Sequence, residues 1–420
     1  MLNTKLKKDY FYTYLTYGIS FISTLAVYYF VTQRFEYIEF EKYNLSRRVI
    51  GITSVILMLG VAVSLPKSVA VVSFNKNSTL YNSANLFSVL IFVLTLASVF
   101  SLTVFLFPNF YGQIFWNTNQ YKNLLKIISV FVVSSIFFNI VFSFSRGIMD
   151  MFFANVMTLC NALIPLCFLP FLNKIENYYL AISYFNFFLA SLFLYWIIKK
   201  HKLKIFYSAS LYRRQLSKIL TFGIPRVPGD FALEGILSMP VFITAHMLNT
   251  EEASNLGFAI SLISMVGTFI SPVSIILLPY SAKLMYEKNL TELNRHVHKI
   301  FLLFLPVMLV ITLMFILFSD LITENYFNNL SRDVSFYMKV VSGVFLPYSV
   351  YLIVRSVNDI FYIKPVNAIN TIFSLSVLLI SALFFYKLGI FKYPAIASLY
   401  LGVFCLGLTS YYTYFNIDKR

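Results

Sequence analysis

Apolar residues run along this chain in stretches of about 20, the length that crosses a bilayer's hydrocarbon core, with short polar breaks between them. The pattern predicts twelve membrane spans, at 10–31, 47–72, 84–107, 122–144, 151–172, 178–198, 219–247, 254–279, 299–318, 335–354, 364–386 and 394–415. Nothing in it has the period of a strand, so an all-α polytopic membrane protein is expected. Loops are short nearly everywhere. The one substantial connection, Lys199 to Lys218, falls between the sixth and seventh spans. It predicts two lobes of six helices, 1–205 and 206–420.

The two halves resemble each other. Arg146-Gly147-Ile148-Met149-Asp150 returns as Arg355-Ser356-Val357-Asn358-Asp359, Thr16-Tyr17-Gly18-Ile19 as Thr221-Phe222-Gly223-Ile224, and Leu65-Pro66-Lys67-Ser68 as Leu278-Pro279-Tyr280-Ser281. The matches keep their order, at offsets of 209, 205 and 213 residues. Six spans per half start both halves on the same membrane face. The repeats are therefore parallel, related by an axis along the membrane normal, and a substrate path can lie between them.

Composition agrees: hydrophobic residues make up 59% of the chain and charged ones 12%, with mean hydropathy +0.76. The net charge of +16 would suit a nucleic-acid partner, but its distribution speaks against one. Lys5, Lys7, Lys8, the cluster from Lys199 to Lys218, Lys283 to Lys299, Lys419 and Arg420 crowd segments on one side. By the positive-inside rule that side is the cytoplasm, which also receives both termini. The first span is too long for a signal-peptide core and is expected to stay as an anchor. Cys160, Cys167 and Cys405 all fall in spans and read as packing residues. His296 and His298, two apart, point to different helix faces, so no metal site is expected.

The seventh span carries the strongest candidate chemistry: Gly223-Ile224-Pro225-Arg226-Val227-Pro228-Gly229-Asp230, then Glu234. Two prolines and two glycines remove backbone donors and loosen the helix, so a kink or unwound turn is expected. Irregular backbone at membrane depth is tolerated only against protein or a watery cavity. Arg226, Asp230 and Glu234 are four apart and would form one stripe, with Asp230 about 15 Å past the helix start, near the midplane. A charge there costs at least about 2.5–3.5 kcal/mol. Arg226 and Asp230 can neutralise each other, or Arg226 can snorkel to the edge; Glu234, deeper and without a local partner, reads as a cavity group. At the outer edge of the first half, Arg34, Arg47, Arg48, Lys122 and Lys126 run against the positive-inside trend. They either snorkel or receive an anionic head group. Arg146 with Asp150, and Arg355 with Asp359, stand at cytoplasmic ends of the fourth and tenth spans, as helix caps, topology signals or a matched pair of gate latches.

These residues carry a resemblance. Gly223-Ile-Pro-Arg226-Val-Pro228-Gly229-Asp230, the second-span segment Leu59-Gly60 through Lys67-Ser68-Val69-Ala70, and Arg146-Gly147 are similar to segments of the Wzx-type O-antigen and polysaccharide flippases. These belong to the multidrug/oligosaccharidyl-lipid/polysaccharide exporter superfamily. The resemblance implies a MATE-like V-shaped bundle in the bacterial inner membrane that moves an undecaprenyl-diphosphate-linked oligosaccharide outward by alternating access. It also implies Arg226 as a diphosphate contact, Asp230 and Glu234 as proton-coupling groups, no cofactor, membrane lipids as partners, and a place beside a polymerase and chain-length machinery.

Rival readings are weighed against it. A major facilitator would carry acid and arginine between its second and third spans, where this chain has none. A multidrug antiporter of the same superfamily could use Asp230 and Glu234. A polytopic glycosyltransferase or polymerase could use Glu36, Glu39 and Glu41 in the first outer loop, but the outer loops are too short to build an acceptor site and duplicated halves serve no purpose there. No G-x-x-x-x-G-K-[ST] motif occurs, so ATP hydrolysis by this chain is not expected.

Overall fold

The computed structural model describes residues 4–72, 78–204, 208–286, 290–326, 332–362, 365–389 and 393–416, and every regular element among them is helical. In the first half these are α1 (Thr4–Arg34), α2 (Tyr37–Met58), α3 (Val61–Val72), α4 (Ser78–Leu106), α5 (Pro108–Trp116), α6 (Lys122–Gly147), α7 (Met151–Phe168) and α8 (Ile175–His201). The second half has α9 (Ala209–Gly223), a 3-10 turn at Ile224–Arg226, α10 (Val227–Met247), α11 (Thr250–Tyr286), α12 (Leu290–Tyr326), α13 (Arg332–Ser342), α14 (Phe345–Phe361), α15 (Val366–Leu388) and α16 (Pro394–Phe415). Nine continuous helical stretches of described residues are long and apolar enough to cross a membrane. Two bent pairs, α2 with α3 at 43° and α13 with α14 at 48°, raise the number to eleven. α11 occupies the eighth predicted span, so each of the twelve predicted positions is helical. The chain is a multi-pass membrane protein.

The second span departs from expectation. Its helix begins at Tyr37, ten residues before the predicted 47, so the stretch read as an outer loop is the first half of α2. Buried polar neighbours make that possible. Glu39, Glu41, Asn44, Ser46 and Arg48 are all buried, Lys42 bridges Glu39 at 2.7 Å one turn away, and Ser46 donates to the Lys42 carbonyl at 2.6 Å. Glu39 and Glu41 therefore stand inside protein, not in a loop facing an acceptor. The span then breaks at Leu59 (φ 49°) and Gly60 (φ 70°). Gly60 takes this left-handed conformation without strain, and the bend lays its backbone against the end of α9. A Cβ on Gly60 would come within 2.4 Å of the Gly223 carbonyl oxygen, and one on Gly223 within 2.6 Å of the Leu59 oxygen.

The chain forms two compact units. One comprises the residues up to Tyr12 and Val49–Phe231, the other Thr13–Arg48 and the residues from Ala232 on. They do not follow a single cut at 205/206: most of α1 and the first half of α2 count with the second unit, α9 and the first residues of α10 with the first. In the first unit α6 is central, touching α3, α4 and α8, and 56% of its apolar window is buried. Gly147 ends α6 against α3, where a Cβ would lie 2.9 Å from the Pro66 Cα. In the second unit α14 is central, against α11, α12 and α16. Only 11% of the apolar window of α12 is buried. That helix turns its leucines outward, as lipid requires and water would forbid.

Candidate functional site

Polar and charged groups gather at two places, one in each unit. In the first unit the gathering point is the Phe222 ring at the end of α9. Pro225 and Pro228 leave the chain short of donors there; where a kink or unwound turn is expected, one turn tightens to 3-10 at Ile224–Arg226 within a helical stretch that continues from Ala209 to Met247. Arg226 folds back over the preceding turn. Its Nη1 donates to the Phe222 carbonyl at 3.0 Å and its guanidinium lies 3.8 Å from the Phe222 ring centroid. A cation so placed satisfies a helix's last carbonyls. Lys67, about two turns past the bend in α3, brings its Nζ to 3.6 Å from the same centroid. Each contact is worth about 0.5–2 kcal/mol. Two positive charges held on one ring also repel, and an anion between them would turn that repulsion into attraction. Lys67 is exposed and Arg226 half-buried, so such an anion has access. Asp230 lies in the first turn of α10, where the helix dipole favours a carboxylate.

In the second unit the centre is Arg48, 4% exposed. Its Nη2 donates to the Gly257 carbonyl of α11 at 2.7 Å and to Ser261 Oγ at 2.5 Å. Its Nε is buried with no partner, an unused donor that costs about 1–3 kcal/mol unless something accepts from it. One turn earlier Asn44 donates to Ser254 Oγ at 3.3 Å, and Tyr37 donates to Asn255 Oδ1 at 2.9 Å. Glu234 of α10 lies within electrostatic reach of Arg48 and Arg47 and accepts from Ser238 at 3.2 Å. Arg47 donates to the Tyr28 hydroxyl at 2.9 Å and leans on the rings of Tyr28 and Tyr43. Tyr348 of α14 also feels Glu234. Glu234 thus has two guanidiniums, Arg47 and Arg48, within electrostatic reach.

The sequence separations at this contact have a meaning of their own. Arg48 and Ser261 are 213 residues apart, Arg48 and Gly257 209, and Asn44 and Ser254 210. The first two are among the offsets that relate the two repeats, and the third lies within one residue of one of them. The contact of α2 with α11 at Arg48 is therefore one between nearly equivalent positions of the two repeats.

Asp230 and Glu234 stand four apart on α10 with Arg226 in the turn before it, and Glu234 has Arg47 and Arg48 of α2 within electrostatic reach. Arg47 and Arg48 are inside α2, not at an outer edge. Lys122 and Lys126 open α6 in the other unit, Lys122 exposed and Lys126 5.9 Å from the Phe105 ring centroid. The expected Arg146–Asp150 pair is not made. α6 ends at Gly147, Met149 turns with φ 58°, and Asp150 caps α7. Its carboxylate pairs with Lys200 of α8 while Arg146 rests on Phe142. In the second repeat the equivalent residues stay within one helix, with Asp359 accepting from Asn367 at 2.8 Å and Arg355 beside the Tyr351 ring. Sequence reading overlooked Lys67, Phe222, Tyr28 and Tyr348 as site residues. The repeat offset was the available signal, since it alone connects Arg48 to Ser261.

With this geometry in view, the fold has solved counterparts. The chain is similar to the inward-facing conformation of a multidrug resistance MATE family transporter of the MOP superfamily (TM-score 0.74, 13% identity, 95% of each chain covered). It is also similar to a MOP superfamily transporter from Pyrococcus furiosus whose binding pocket is described as reversed in polarity (TM-score 0.71, 13% identity, 98% of this chain and 96% of that one). A third counterpart is a MATE transporter in the bent conformation (TM-score 0.68, 15% identity, 98% and 96%). No family model and no curated protein matches by sequence. At these identities the likeness is one of fold, an all-helical bundle.

Proposed function

We propose that this chain is a flippase of the bacterial inner membrane, with both termini in the cytoplasm. It carries an undecaprenyl-diphosphate-linked oligosaccharide to the outer leaflet by alternating access between lobes 1–205 and 206–420. The observation that carries this reading is the pairing of cations at both centres. Lys67 and Arg226 share one ring, and Arg47 and Arg48 both lie within electrostatic reach of Glu234, the Arg48 Nε having no acceptor among the described residues. A guanidinium recognises phosphate bidentately, so Arg226 is the diphosphate contact in this scheme. Lys122 and Lys126 attract the anion on its way out. An inside-negative potential favours outward movement of an anion by about 2.3 kcal/mol per charge per 100 mV. A diphosphate diester with about two charges gains about twice that, so potential alone can drive export, with Glu234 adding proton coupling. Membrane lipids, the polymerase and the chain-length machinery of the same pathway are its partners.

The test is depletion of the protein followed by location of the lipid-linked oligosaccharide. Accumulation on the cytoplasmic leaflet supports the proposal, and normal outer-leaflet delivery refutes it. The second reading, a multidrug antiporter, is favoured by one observation: Glu234 is an acid at membrane depth. Drug-resistance assays separate the two, because only the antiporter loses resistance on Glu234→Gln.

A further inference from the structure

We propose that α4 and α9 form a binding site for an anionic diacyl phospholipid, independent of the transported substrate. Two hollows lie side by side on α4. One, of ≈ 430 Å³, is walled by α4 and by Tyr212, Arg213 and Leu216 of α9. The other, of ≈ 550 Å³, is more open and runs along α4 from Leu90 to Leu102. Both volumes are in the range of ligand pockets. They share Ile91, Thr95 and Val99, residues four apart that make a single ridge between them. Thr95 gives its hydroxyl to the Ile91 carbonyl at 2.7 Å, so the ridge presents carbon throughout.

The dimensions suit two hydrocarbon chains parted by the ridge. From Ser88 to Val99 the groove is about 16 Å long at 1.5 Å per residue, close to one leaflet's half of a core about 30 Å thick. The charge at the end of this groove selects the head group. α9 carries Arg213, Arg214 and Lys218 and no acid; all three bases are exposed. Arg213 itself lines the groove, so its guanidinium stands where the lipid phosphate would come. The segment before α9 is held at the same end of α4, where the Lys204 backbone N–H donates to Ser83 Oγ at 3.1 Å. Ser208 caps α9 by accepting from the Leu211 N–H. α9 thus presents its bases beside an acyl groove on α4.

Native mass spectrometry of the purified full-length protein tests this, with dioleoylphosphatidylglycerol and dioleoylphosphatidylcholine as probes, identical in their chains. The wild type should retain the glycerol lipid over the choline lipid. Arg213→Ala should cut that preference about fivefold, the worth of one base at an anionic surface. Thr95→Trp, which fills the groove from its ridge, should lower retention of both lipids alike. Lys199→Ala, a base outside the groove, should leave the preference unchanged. Equal retention of both lipids by the wild type overturns the proposal. So does an effect of Lys199→Ala as large as that of Arg213→Ala, or undiminished retention by Thr95→Trp.

Discussion

Removing the Arg48 side chain should release α2 from α11. Its Nη2 makes two hydrogen bonds across that contact, at 2.7 Å to the Gly257 carbonyl and 2.5 Å to Ser261 Oγ. Hydrogen bonds from a charged donor are worth about 1.5–3 kcal/mol each. The loss falls at the lower end, because Ser261 already donates to the Gly257 carbonyl at 2.9 Å and neither acceptor is orphaned. About 3 kcal/mol corresponds to a factor of about 100 in the equilibrium between contact made and contact broken. A reporter is at hand in Ser254, fully buried one turn from the clasp and bonded to Asn44. In a background with Cys160, Cys167 and Cys405 replaced, Ser254→Cys should react slowly with a membrane-impermeant maleimide. Adding Arg48→Ala should speed that reaction by about two orders of magnitude, and Arg48→Lys should fall between. Equal labelling rates with and without Arg48, in proteins that elute and melt alike, would refute the clasp.

Three further outcomes follow from other contacts. Gly60→Ala should cost about 2–4 kcal/mol in thermal stability, from a left-handed φ combined with overpacking against Gly223. Gly18→Ala, at a glycine with nothing within 4 Å of its added carbon, should be silent in the same melt. A double-mutant cycle of Asp150 and Lys200 should give about 0.5–1 kcal/mol of coupling, and the cycle of Asp150 with Arg146 should give none; the reverse order would restore the pairing inferred from spacing. Phe222→Leu keeps bulk and removes the ring that holds Lys67 and Arg226. It should lower stability by about 1–2 kcal/mol, and an unchanged melt would mean the two cations do not depend on that ring.

The spans were legible in the sequence because a run of about 20 apolar residues has few other uses. The Pro–Gly irregularity at 223–229 was legible for an equally local reason, though it amounts to one 3-10 turn and not a break. The start of α2 was not: Glu36, Glu39, Glu41, Lys42, Arg47 and Arg48 look like a loop until buried partners are supplied from α1 and α11. Spacing misled at Asp150, because a four-residue interval predicts a contact only in an unbroken helix, and Met149 turns the chain between. The Arg48–Glu234 centre was invisible because its members come from α2 and α10, and no local pattern joins them.

The contact between Arg48 and Ser261 carries a consequence for the ancestry of the molecule. A two-fold assembly of identical halves sets each axial residue against its own copy, and arginine there would face arginine in a buried place. Joining the halves into one chain lifts that restriction, because each copy can then change alone. Here one copy keeps the guanidinium and the other supplies a hydroxyl and a carbonyl to receive it. A half-length protein that dimerised would bring two such guanidiniums together at this contact, a restriction that joining the halves removes.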